Sequence, residues 1–262
     1  MGTRTSGTAI RAAVFAGALM LAQVASAGRV IVNSDEWTLD NYGFSLAPSS
    51  TAAFAQNLAS YMNSNGGACN LLIYSDNLGF IGSSLNSALA GAGCSVTHST
   101  GAFDLATLSA YDGVFLGGRQ YNYDADVLTA YVNGGGNVYI GGGTGNVANE
   151  DSVWDSFLHA FGLDFGHSYT GITGVFPISG GNPLLNGVTD LYFDNINAVS
   201  LYGNDPEAQI IGSFGDNGLL GVYSGDDDSS RINPAAAVPE PASLALIAAG
   251  LAALGLRRRR MS

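Results

Sequence analysis

Between Arg29 and Phe161 the chain alternates short apolar runs with longer amphipathic ones, and no other feature restricts the fold as much. The short runs are "RVIVN", "CNLLIYS", "CSVTHS", "GVFLGG" and "NVYIGGG". Between and after them lie helical patterns: Thr51 to Met62 with Ser50 as its cap, Ile81 to Ala90 stopped by Gly91 and Gly93, "DLATLSAY", "DADVLTAYVNGGG", and Val153 to Phe161. A strand that is apolar throughout is buried on both faces, and a helix after each strand covers those faces. The expected fold is therefore α/β, an open, doubly wound, mainly parallel sheet. Beyond Leu163 the runs "LYFDNINAVSLYG", "AQIIGSF" and "GLLGVYSG" predict extra strands that extend or flank the same sheet.

The termini set the compartment. Arg4 and Arg11 precede an apolar segment, and Ala25-Ser26-Ala27 has the small-x-small form that signal peptidase accepts, so residues 1–27 read as a signal peptide cleaved between Ala27 and Gly28. The domain is expected over 28–225, a polar linker over 226–237 and a distinct tail over 238–262. From Gly28 to Ala237 there are 20 acidic residues against 3 arginines, a net charge of about −17. That balance argues against nucleic acid, whose phosphates need a basic face. The chain contains no lysine, which removes Walker-type phosphate loops, Schiff-base chemistry and lysine nucleophiles. Cys69 and Cys94 are too few for a four-cysteine metal centre. They open two successive strands, so parallel pairing of those strands predicts a disulfide between them.

Ligands of open α/β sheets sit at the carboxyl ends of the strands, which directs attention to Asp76, Arg119, Asp124, Asp126, Gly143 and Thr144. "GGGTGN" lacks the spacing of a dinucleotide loop and reads as a tight turn. "GHSYT" lacks the last glycine of a serine elbow, and His98, His159 and His167 are not spaced as a metal pair, His159 reading as core or boundary. No cofactor is implied. Calcium is the ion an exported acidic chain suggests, at Asp226-Asp227-Asp228 or at Asp124 and Asp126, although neither forms a twelve-residue calcium loop. In "NSDEWTLDNYGF", Trp37 and Tyr42 either stack on a sugar while Asp35, Glu36 and Asp40 accept its hydroxyls, or fold back over the sheet; packing is the favoured role. Asp76, Asp124 and Asp126 also define the competing expectation, an extracellular hydrolase of polysaccharide or peptide working through paired carboxylates.

From "LSAYDGVFLGGRQYN" through "LTAYVNGGGNVYIGGG" to "NPLLNGVTDLYF" and "AQIIGSFGDNGLLGVYSG", the domain resembles the class I glutamine-amidotransferase-like superfamily, which implies a flavodoxin-like fold. Catalytic members carry a cysteine at the turn after the strand matching "NVYIGGG", with a later histidine as its base. Here Gly141, Gly142, Gly143 and Thr144 occupy that turn. The resemblance thus implies a non-catalytic module, because no thiolate is present to attack an amide.

In the tail, "VPEP" precedes 15 largely apolar residues, Ala242 to Leu256, and then Arg257, Arg258, Arg259 and Arg260. As a helix the apolar run spans about 22 Å, short of a hydrocarbon core of about 30 Å. The arginines would hold its end in the cytoplasm. Pro239-Glu240-Pro241, helix and basic stop together closely resemble the PEP-CTERM sorting signal of Gram-negative bacteria, whose tails are read by an exosortase and which is associated with exopolysaccharide and biofilm. The resemblance implies export through the inner membrane, transient anchoring there by the tail, and final residence at the cell surface or outside the cell. The implied partners are signal peptidase, exosortase, the inner membrane before processing, and exopolysaccharide.

Overall fold

Strand β1 (Arg29–Asn33) illustrates how the sequence builds both layers of the core: Val30 and Val32 enter one hydrophobic cluster and Ile31 the other. The same alternation recurs in β2 (Cys69–Ile73), β4 (Gly113–Gly117) and β5 (Asn137–Gly141), where Leu72, Val114, Leu116, Val138 and Ile140 oppose Leu71, Ile73, Phe115 and Tyr139. Side chains alternate across a strand, so an unbroken apolar run feeds two faces and needs cover on each. One cover comes from α2 (Pro48–Met62), through Phe54, Ala55 and Leu58, and from α3 (Ser83–Gly91), through Leu85 and Leu89. The other comes from α4 (Leu105–Leu108), α5 (Ala125–Asn133) and α6 (Glu150–Leu158), through Leu108, Leu128, Val132, Trp154 and Phe157. This architecture is that of a computed structural model describing residues 27–63, 66–75, 79–117, 123–143 and 150–225.

The sheet is mixed rather than mainly parallel. It has nine strands, and its order is β3 (Cys94–His98), β2, β4, β5, β1, β11 (Asn217–Ser224), β9 (Asn197–Leu201), β6 (Leu163–Tyr169), with β10 (Ala208–Phe214) also paired to β11. The five strands from β3 to β1 are parallel, and every pairing from β1 onward is antiparallel. Hairpin-type strands need no covering helix between them, which is why the helical pattern stops after α6. A separate antiparallel ribbon, β7 (Thr173–Pro177) with β8 (Asp190–Asp194), buries Leu191 and Phe193 in the cluster under α2.

Two local expectations change. Helix α2 starts at Pro48, with proline at its first turn, and Ser50 is not its cap; the Ser50 hydroxyl lies 3.0 Å from that of Thr189. Within the acidic loop after β1, a six-residue helix, α1 (Asn41–Leu46), forms with Asp40 as its cap. Among the described residues no helix is long and apolar enough to cross a membrane, and the apolar run 242–256 lies outside them.

Cys69 and Cys94 are paired directly in the parallel register of β2 and β3, with Cα atoms 4.5 Å apart, and are joined by a disulfide. The bond closes a loop of 25 residues around α3 and ties the edge strand to its neighbour. Replacing both cysteines by alanine is expected to lower stability by about 3 kcal/mol, from the loop entropy returned to the unfolded chain. Urea unfolding of oxidised wild type and the double variant measures this.

Candidate functional site

The carboxyl ends of β1 and β5 meet at the segment that follows β1, and the residues there are tied almost entirely to backbone. Asn33 donates through Nδ2 to the Tyr139 hydroxyl at 2.8 Å and accepts from the Asp35 amide at 3.1 Å. Asp35 is fully buried. Its Oδ1 accepts from the Trp37 amide at 3.1 Å, capping the short 3-10 turn Glu36–Leu39, and its Oδ2 accepts from the Asp194 amide of β8 at 2.5 Å. Asp40 Oδ1 accepts from the Gly43 amide at 2.6 Å, and the Thr38 hydroxyl donates to the Tyr192 carbonyl at 2.9 Å. Crossed bonds, from the Glu36 amide to the Gly142 carbonyl at 2.7 Å and from the Gly142 amide to the Asn33 carbonyl at 2.9 Å, lace this segment to the turn after β5.

Burial governs the electrostatics of the group. It raises the Asp35 carboxyl well above the ordinary aspartate range, against the two backbone amides that favour the anion and with a smaller contribution from the neighbouring Asp194 and Asp40 charges. Asp40 is raised as well, again by burial. Burial, with the charge of Asp194 next in weight, pushes the Tyr192 phenol up to about 12. Asp35 and Asp40 are therefore structural acceptors rather than ligands for sugar hydroxyls, and Glu36 is buried beside them. The aromatic half of the loop is different. Tyr42 is 50% exposed, its ring edge-on to Tyr192 at 5.2 Å and to Trp37 at 6.5 Å between centroids.

The two described residues of the turn after β5, Gly142 and Gly143, leave no room for a side chain. Gly143 adopts φ +76°, and a Cβ there would lie 2.9 Å from the Ser34 carbonyl oxygen and 3.2 Å from Asp35 Oδ1. A Cβ on Gly142 would meet the Phe165 ring at 2.9 Å. Both contacts are closer than side chains tolerate, and the left-handed backbone adds strain for any residue but glycine.

Of the other residues singled out in the sequence, Asp76, Arg119 and Thr144 lie outside the described residues, as do Asp226-Asp227-Asp228 and the whole tail. Asp124 caps α5, its Oδ1 accepting from the amides of Asp126 at 2.9 Å and Val127 at 3.1 Å, and Asp126 sits exposed in the first turn. A carboxylate engaged as a helix cap is poorly placed for calcium or for acid-base work. Ala27 and Gly28 precede β1, and the Gly28 amide donates to the Val132 carbonyl at 2.7 Å. His98 shares a 2.9 Å hydrogen bond with Asn86. His159, expected in the core or at its boundary, is partly exposed and faces Asp155 and Asp164. Sequence reasoning missed the Asp35–Asp194 link, which joins residues 159 positions apart and leaves no local signal. At the opposite, amino end of β4 and β5 a cavity of about 290 Å³ opens between Leu105, Tyr111, Asp112, Tyr131 and Asn137.

The family model of the PEP-CTERM protein-sorting motif matches residues 237–260. The chain thus carries an exosortase sorting signal and is an exported protein, anchored through its C-terminus and destined for the surface. No curated protein matches it. Among solved structures, an IMPa metallopeptidase in complex with T-antigen is similar at 15% identity and a TM-score of 0.35, over 50% of this chain and 15% of its own length. At that score the likeness carries no argument about mechanism, and neither comparison supports the amidotransferase resemblance.

The raised carboxyls give a definite pH dependence. A folded state that holds a proton more tightly than the unfolded chain is most favoured below the ordinary aspartate value of 3.8 and loses that contribution as pH rises through the raised value. Urea midpoints should accordingly fall as pH rises above 3.8, with a shallower slope in Asp35→Asn, which cannot ionise. Asp35→Ala is expected to cost about 1–3 kcal/mol, because the Trp37 and Asp194 amides lose their acceptor.

Proposed function

We propose that this chain is a surface or matrix protein of a Gram-negative bacterium whose α/β domain binds exopolysaccharide without turning it over, and whose tail anchors the precursor in the inner membrane until an exosortase removes it. The observation that supports this reading is the sorting motif at 237–260, the mark of an exosortase-sorted extracellular protein. Two features of the domain support the non-catalytic half. Asp35 and Asp40, in the segment that follows β1, are engaged as caps, and Gly142 and Gly143 have no space for an attacking side chain. The binding half draws on Tyr42, a half-exposed ring fixed by Tyr192 and Trp37 beside it. A pre-oriented aromatic face of this kind stacks on the apolar face of a pyranose at little entropic cost.

Co-sedimentation of the purified surface protein with the host's exopolysaccharide tests the domain. Tyr42→Ala should weaken association by about 2- to 10-fold, the share of one aromatic stack. New reducing ends released from the polymer would replace this reading with a hydrolase, and unchanged association in the variant would remove Tyr42 from the contact.

The tail has its own measurement. Intact masses of the surface protein should lack Leu244 to Arg260 in the native host, whereas a strain without exosortase should retain full-length protein in its membrane fraction. The physical basis is read from the sequence of Pro239-Glu240-Pro241: proline lacks the amide hydrogen that helix and strand both use, which suits such a segment to recognition by a processing enzyme. A full tail on surface protein from both strains would make it a plain anchor.

A further inference from the structure

We propose that Asp155, His159 and Asp164 form a binding site for one divalent first-row metal ion, with zinc the ion the donor set fits. One imidazole and two carboxylates present ligand atoms that all lie within 4.8 Å of one another, each side chain partly exposed. The cluster lies at the end of α6 and the start of edge strand β6, in the antiparallel half of the molecule and away from the segment after β1.

The arrangement follows from local sequence. In "DSFLH" Asp155 and His159 are four residues apart, which places them one above the other on the same side of a helix. The residues between them that point inward, Phe157 and Leu158, and Trp154 before them, are fully buried, so the helix cannot rotate to bring the pair elsewhere. The 3-10 turn His159–Phe161 then ends at Gly162, whose φ of +67° reverses the chain into β6. A Cβ on Gly162 would lie 2.6 Å from that of Asp205, so the reversal depends on glycine. Asp164 follows two residues later and returns to the histidine, with Oδ1 3.2 Å from Nε2.

The imidazole is also held in place. The Tyr202 amide donates to the Gly162 carbonyl at 2.8 Å, and the adjoining register pairs Leu163 with Leu201 and Asp164 with Ser200. Tyr202 thereby stacks on His159 with centroids 3.6 Å apart and planes within 7°. Stacking fixes the ring plane, and hence the direction in which Nε2 presents its lone pair once deprotonated. An ion bonded to two atoms 3.2 Å apart, at the usual 2.0–2.2 Å, subtends an angle of about 100° between them, close to tetrahedral. Asp155 closes the set by rotation of its carboxylate, and water completes the coordination, for which the 30% and 22% exposure of His159 and Asp164 leaves access. The donors select the ion: calcium prefers all-oxygen shells, whereas an imidazole nitrogen with carboxylates suits zinc and its neighbours. Two carboxylates also give the cluster a net negative charge that a divalent cation offsets.

Equilibrium dialysis of the full chain, purified in detergent without a polyhistidine tag, against zinc chloride tests the site. The expected result is one tightly held zinc per chain, a melting temperature that rises with zinc, and visible absorption when cobalt(II) replaces it. Asp155→Asn keeps the His159–Asp164 contact and so separates ligation from folding. Measured against its own metal-free melting temperature it should gain little from zinc, and it should bind zinc more than 100-fold more weakly, beyond the roughly 10- to 100-fold that outer-shell changes cost. His159→Ala should abolish the high-affinity zinc and the cobalt spectrum. Zinc binding that is unchanged in both variants, or calcium producing the same thermal shift at the same concentration, would overturn the proposal by reducing it to general attraction to an acidic surface.

Discussion

The fully buried carboxyl of Asp35 is the joint on which the upper edge of the domain depends. Burying such a group is costly, and here the cost is offset by two backbone amides, a local one in the turn that follows β1 and a remote one in β8. The same contact fixes where the β7–β8 ribbon sits. With the Asp194 amide held, Tyr192 two residues earlier is brought over the loop, where its carbonyl accepts from Thr38 and its ring receives the edge of Tyr42. The exposed aromatic face is thus a consequence of a buried acid, both of whose oxygens already accept from backbone amides.

Strand β1 is the seam between two halves that obey different rules. On one side it pairs in parallel with β5, and on the other antiparallel with β11. The parallel half needs helices on both faces and gathers its strand ends at one edge, which is where Asn33, Asp35 and Gly143 meet. The antiparallel half is closed by turns and places side chains along strand edges instead. Asp164, His159 and Tyr202 come together there because a helix end, an edge strand and the residue after β9 share one corner. Each half therefore assembles its residue cluster by its own mechanism.

What the sequence disclosed follows the same division. The strands and helices of the parallel half were legible because apolar runs and helical periods repeat there, and glycine stops such as Gly134 end the helices on schedule. The antiparallel extension was legible as strands but not as pairings, since order and register come from long-range contacts. Helix α1 was hidden inside an acidic, aromatic stretch whose caps, Asp35 and Asp40, read equally well as ligands. The amidotransferase pattern rested on helix, strand and glycine spacing that many α/β domains share, and its specific element, the turn after β5, is the one that departs. The three histidines are not spaced as a metal pair among themselves; the spacing on which the proposed site rests, Asp155 to His159, lies in "DSFLH" and is a carboxylate–histidine one.

Acidity limits how the domain would meet the proposed matrix polymer. With 20 acidic residues against 3 arginines between Gly28 and Ala237, an anionic polymer is repelled at long range, and the repulsion decays over a Debye length of about 8 Å at physiological salt. Attraction must then come from contacts made inside that distance. An aromatic ring on a sugar face is such a contact, because it asks for no charge on either partner. A bound divalent ion with open positions is another, because it reverses the local sign of the field where it sits. Tyr42 with its aromatic neighbours and the proposed Asp155–His159–Asp164 site are of these two kinds. Each would operate without a basic surface, which is the physical condition that the proposed binding role places on so acidic a domain.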